Sequence, residues 1–138
     1  PLSPQDFSIL YILQLPEEIK AIPDLLRLFL EFSNYIVEVA LQYNEFKHIK
    51  ASEIACAATL LSLQGIKSSI IPSQGQVRYT LLKNVESLNI SSVKIVSIES
   101  LMMTKLRRQF SDNLEEIHRN FDPCGIVYET FSDPPSLL

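Results

Sequence analysis

The sequence predicts an all-α domain, and three observations support that expectation. Prolines at 1, 4, 16, 23, 72, 123, 134 and 135 fence off long proline-free blocks. Within those blocks apolar residues recur at spacings of three and four, as one face of a helix requires. Glycine, the other strong breaker, stands only at 65, 75 and 125. The expected architecture is a five-helix bundle around a central third helix, with a short extra C-terminal helix and a tail.

The first helix is expected from Pro4 to Leu15, where Pro16 stops it. Ser3 offers an N-cap, Pro4 fits the first helical position and Asp6 supplies an acid at the third. Ser3-Pro4 is also the minimal site of a proline-directed kinase, but capping accounts for the same residues with no further assumption. The second helix shows the strongest period, with Ile22, Leu25, Leu26, Phe29, Phe32, Ile36, Val39, Ala40 and Tyr43 on one face. Leu28, Leu30, Val37 and Leu41 widen that arc, so this helix is expected to be covered on most sides.

The third helix is expected over 52–64, capped by Ser52, with Glu53 facing the positive end of the helix dipole. Its first half, Ile54-Ala55-Cys56-Ala57-Ala58, is almost all small, which lets neighbouring helices approach closely. Such a helix belongs at the centre of a bundle. A loop over 66–76 follows Gly65, with Ile70-Ile71 able to tuck onto the core. The fourth helix, 76–87, carries Val77, Leu81, Leu82 and Val85. The fifth, capped by Ser91 or Ser92, runs to Arg108 with a stripe of Val93, Val96, Ile98, Leu101, Met102 and Leu106. Lys105, Arg107 and Arg108 would close its final turn, where cations suit the dipole. The bundle is thus expected over 1–110. A short helix capped by Ser111 or Asp112 and an apolar, proline-containing tail packed on the bundle occupy 111–138.

Composition narrows the function. With 46% hydrophobic and 20% charged residues in 138, disorder is excluded and a substantial core is available. Twelve basic against sixteen acidic residues give a net charge of −4, and no basic stripe suits a phosphate backbone. Nucleic acid is not an expected partner. No run of 18 uncharged apolar residues exists, so no membrane span is expected. Cys56 and Cys124 are too few for a disulfide framework or a four-ligand zinc site, and Cys56 reads as a small core residue. This usage suits a reducing compartment, nuclear or cytoplasmic. The Asn89-Ile90-Ser91 sequon carries no weight without a secretory signal.

No catalytic, cofactor-binding or metal-ligating set is expected. Glu115 and His118 stand three apart on one helical face, but a di-iron bundle needs two such pairs and two more glutamates. Neither His48 nor His118 sits in a nucleophile–base arrangement, and no glycine-rich phosphate loop exists. The chain is not expected to be an enzyme and is expected to need no cofactor.

The stretch Phe46-Lys47-His48-Ile49-Lys50-Ala51-Ser52-Glu53-Ile54-Ala55-Cys56-Ala57-Ala58 resembles the C-terminal cyclin-box lobe of cyclins. In that family an aromatic leads into Pro-Ser-x-Ile-Ala-x-Ala-Ala, opening the central third helix of a five-helix lobe. Ser52, Ile54, Ala55, Ala57 and Ala58 fall on that pattern, and Ala51 replaces the proline. Pro4-Gln5-Asp6-Phe7 resembles the start of the lobe's first helix, and 25–41 resembles its long second helix. Ser87-Leu88 resembles the fourth-to-fifth junction. Ile117-His118-Arg119-Asn120-Phe121 and Ser132-Asp133-Pro134-Pro135 resemble the end of mitotic-type cyclins.

The resemblance implies a non-catalytic regulator, the second lobe of a cyclin that binds and activates a cyclin-dependent protein kinase in cell-cycle control. In that family the first lobe makes most kinase contacts, so no kinase-contacting residue carries over. The chain is then expected to be part of a longer protein, with the N-terminal lobe upstream and Leu2, Phe7 and Leu10 as candidate lobe–lobe contacts. The alternative is a cyclin-fold interaction module outside kinase regulation, resembling the transcription factor IIB or retinoblastoma groups. A DNA-bound factor should be basic, which this acidic chain is not.

Overall fold

A computed structural model of the chain describes residues 3–22, 25–66, 71, 73–112 and 119. Over those residues it forms α1 (Pro4–Ile12), α2 (Glu17–Lys20), α3 (Leu25–Ala40), a 3₁₀ turn (Asn44–Phe46), α4 (Ala51–Gln64), α5 (Gln74–Glu86) and α6 (Ser92–Asp112). No strand occurs among the described residues, so the all-α class stands.

α1 begins as its sequence dictates. The Asp6 amide donates to Ser3 Oγ at 3.3 Å while the Ser3 amide donates to the Asp6 carboxylate at 3.0 Å, a reciprocal cap behind Pro4. Those Ser3 donors hold the Asp6 carboxyl below its ordinary range. α1 ends at Ile12, short of the expected Leu15, so Pro16 does not stop it and instead starts a second segment: α2 follows it directly and buries Ile19. One turn is too short to show a period in sequence, so this helix was not expected.

α3 buries Leu25, Phe29, Phe32, Ile36, Val37, Val39 and Ala40, with Leu26, Leu28 and Leu30 half-buried. Leu41, expected on the widened arc, lies in the turn after the helix and is exposed. α4 is the centre. Every residue from Glu53 to Leu63 is buried, and α1, α3, α5 and α6 all pack against it. Its small first half permits that four-sided contact, because a helix carrying bulky residues on every face holds its neighbours apart.

Several expected details differ. α4 starts at Ala51, so Ser52 lies inside the first turn; the Lys50 amide reaches the Glu53 carboxylate at 3.4 Å and closes the end instead. α6 buries Ile95, Ile98, Met102, Met103 and Leu106, while Val93 (77% exposed) and Val96 face water. Apolar residues at 93, 95, 96, 98, 101, 102, 103 and 106 span too wide an arc for sequence to fix the rotation. α6 also continues to Asp112, so Lys105, Arg107 and Arg108 do not close it; the short helix expected after Ser111 or Asp112 lies outside the described residues. Lys105 pairs with Glu45 at 2.9 Å, tying α6 to the turn after α3.

The loop before α5 returns to the core through Ile71, which is buried. α5 stops at an apolar-backed cap. Asn89 adopts a left-handed φ of 62°, and the Ile90 amide donates back to the Val85 carbonyl at 3.1 Å. Asparagine tolerates that conformation better than most residues, and Ile90 packs against the core beside it. Leu2, Ile70, Glu115, His118, Cys124 and the tail over 120–138 lie outside the described residues.

Candidate functional site

The described residues hold no group of three or more His, Cys, Asp or Glu side chains that could bind a metal ion. His48 is exposed in the turn before α4. Cys56 is wholly buried in α4, and that burial pushes its thiol up to about 12, aided by the Glu99 carboxylate and opposed by Arg78. A thiol so held is protonated at neutral pH and is a poor nucleophile. No described helix is long and apolar enough to cross a membrane.

Two polar assemblies fasten α4 to its neighbours. At its start, Tyr11 Oη donates to the Ser52 carbonyl at 2.9 Å, and Lys94 Nζ meets Glu53 Oε2 at 3.1 Å. Burial raises the Tyr11 phenol well above its ordinary range, with smaller contributions from Cys56 and Glu53. At its end, Glu99 is only 2% exposed and is gripped by three donors. Arg78 Nη1 donates at 2.7 Å and Arg78 Nη2 to the second oxygen, while Gln64 Nε2 reaches the first. A carboxylate this deep persists because the guanidinium fork satisfies both oxygens.

Among the described residues, a groove of about 650 Å³ beside the start of α4 has the shape of a binding site. α1 supplies Phe7, Leu10, Tyr11, Leu13 and Gln14; α4 and its approach supply Lys50, Ser52 and Glu53; the α5–α6 turn supplies Leu88, Asn89 and Ile90. Leu10, Leu13 and Leu88 are 48%, 54% and 57% exposed, a concentration of large apolar side chains that single scattered exposures do not explain. A second groove of about 480 Å³ runs along the other side of α1, between Ile9, Leu13, Ile22, Leu26 and Leu30. α1 is therefore apolar around its outward arc as well as its inward one.

The sequence-derived residues divide between core and surface. Ile54, Ala55, Ala57 and Ala58 are buried in α4, and Ser52 is half-buried at the groove floor. Phe7 is half-buried and Leu10 exposed, both on the groove. Leu13, Leu88 and Ile90 were missed as surface residues. Leu88-Asn89-Ile90 did carry a signal: an asparagine flanked by apolar residues after a helical run marks a left-handed cap that turns one of them outward. The pairing of Arg78 with Glu99 had no local signal. Comparison of the chain with protein-family models, with curated proteins and with solved structures found no match.

Proposed function

We propose that this chain is the second lobe of a cyclin, a non-catalytic regulator through which a cyclin-dependent protein kinase is bound and activated in cell-cycle control. The observation that supports the reading is where the motif lies. Ser52, Ile54, Ala55, Ala57 and Ala58 sit on α4, the helix against which α1, α3, α5 and α6 all pack. The resemblance asks for that motif on the third of five helices. α1, α3, α4, α5 and α6 supply five in that order, with one-turn α2 inserted.

In this reading the lobe has no chemistry of its own. It is a rigid support: a close-packed core fixes the outer helices, and α1 presents apolar surface to an N-terminal lobe that makes the kinase contacts. The setting is nuclear or cytoplasmic, and no cofactor is involved.

The test is reconstitution. The full-length protein, expressed with candidate kinase subunits, should co-purify with one of them and raise its activity. A first cyclin box carrying its Lys/Glu pair should precede Pro1 in the full-length sequence. Failure to associate with any such kinase, together with no first box upstream, would sink the assignment.

A further inference from the structure

The groove beside α4 carries more chemistry than an apolar contact needs. Its walls are leucines, yet Lys50 stands on it exposed, with no acid partner among the described residues. The carboxylate that lines it, Glu53, is already buried against Lys94 and the Lys50 amide. Lys50 therefore gives the mouth a positive character on a chain whose net charge is −4. The wall formed by Leu88 is held in place by the left-handed Asn89, so the groove is shaped before anything enters it.

We propose that this groove is a docking site for an acidic amphipathic helix of a separate partner protein. Apolar side chains of the helix would seat between Leu10, Leu13 and Leu88, and its carboxylates would meet Lys50. Grooves between helices are commonly filled in this way, with anchors at i, i+3, i+4 and i+7. A second copy of this chain fits less well, because a two-fold contact through the same face brings Lys50 toward its own symmetry mate. The inference rests on the groove alone: it gives the Phe7 and Leu10 face of α1 to a separate partner and leaves the face beside Ile9, Ile22, Leu26 and Leu30 for an N-terminal lobe.

The test uses three fluorescent amphipathic helical peptides with the same leucine spacing and with glutamate, glutamine or lysine at the flanking positions. Fluorescence anisotropy with the 138-residue chain should rank them glutamate, glutamine, lysine, the first and last differing about tenfold. Binding of the glutamate peptide should weaken as salt rises. K50E should reverse the order, and L88D should abolish binding of all three. Both positions are exposed, so unchanged circular dichroism keeps a null result informative. Equal affinities for the three peptides, or an order that K50E leaves intact, would overturn the proposal. Absence of binding with sedimentation as a dimer would assign the face to a second copy. Binding by this chain but not by the full-length protein would assign the groove to an upstream lobe, overturning the separate partner while leaving the proposed function standing.

Discussion

Glu99 is 2% exposed, and replacing Arg78 with Met leaves its carboxylate with Gln64 as the remaining hydrogen-bond donor among the described residues. Breaking a buried ion pair by removing one partner costs about 3–5 kcal/mol. Glu99 is deep enough for that range to apply. The reverse change, Glu99→Met, strands a guanidinium whose side chain is still 30% exposed and can turn toward water, so about 2–3 kcal/mol is expected. The double variant removes both charges and replaces them with apolar volume. It should be more stable than Arg78→Met alone, because no uncompensated charge remains. For a chain of 138 residues each kcal/mol lowers the melting temperature by roughly 3–4 °C. Arg78→Met should therefore melt on the order of 10–15 °C below the parent. Urea unfolding followed by circular dichroism gives the same comparison as free energies, and the cycle of four proteins gives the coupling. If the two single changes simply add, or if Arg78→Met loses less than about 1 kcal/mol, the buried ion pair does not hold α5 and α6 together.

Ala57→Leu places extra volume at a wholly buried position on the central helix and should cost roughly 1–3 kcal/mol in thermal denaturation; an unchanged melting temperature would remove Ala57 from the packed centre. Tyr11→Phe deletes the hydrogen bond to the Ser52 carbonyl and should cost about 0.5–1.5 kcal/mol by urea unfolding, toward the low end because that carbonyl is also within reach of helical bonding. The Cys56 thiol has a raised pKa in the fold, so its contribution is intact below the ordinary thiol value near 9 and is lost as pH rises toward about 12. Stability measured across that window should fall, and Cys56→Ala should flatten the fall while Tyr11, also raised, leaves part of it. In a Cys124→Ser background, a thiol reagent at pH 8 should react with Cys56 only after denaturant is added; rapid reaction of the native chain would contradict its burial.

The parts of the fold legible in sequence are those with one dominant apolar face. α3 is the clear case: Leu25, Phe29, Phe32, Ile36 and Val39 recur at helical spacing, and all are buried. α4 was legible for a different reason, since a run of small residues suits only a crowded position. α6 was legible only in part, with Ile98, Met102 and Leu106 buried as expected. Its eight apolar positions between 93 and 106 fit two rotations, and the one expected put Val93 and Val96 inside, where the structure has Ile95 and Met103. Choosing between them takes knowledge of what lies on the other side, which is a tertiary fact. The groove was legible only in part for the same reason. Phe7 and Leu10 were suspected from their place near the start of the chain, but Leu88 and Ile90 join them through the cap at Asn89, more than seventy positions away in sequence.

The central helix raises a question that hydrophobic burial does not answer. An amphipathic helix is oriented by its stripe, because turning it exposes apolar surface and buries charge. α4 has no such stripe, since Glu53 through Leu63 are buried on every side. Rotating it by one residue would exchange large buried side chains, Ile54, Leu60, Leu61 and Leu63, with small ones, at a cost in packing but little in transferred surface. Complementary side-chain sizes resist that rotation, and the polar contacts at the two ends, which form in one geometry only, add to the preference. Tyr11 reaches the Ser52 carbonyl and Lys94 reaches Glu53 at the start; Gln64 reaches Glu99, itself gripped by Arg78, at the end. Thr59 meanwhile donates to the Ala55 carbonyl at 2.8 Å within the helix, so its buried hydroxyl is satisfied without fixing any neighbour. A wrong rotation would leave buried polar groups at both ends unpaired, a penalty of about 1–3 kcal/mol for each on top of the misfitted side chains. The small residues allow the helices to come together, and the ties at the ends join the larger side chains in fixing how they do so.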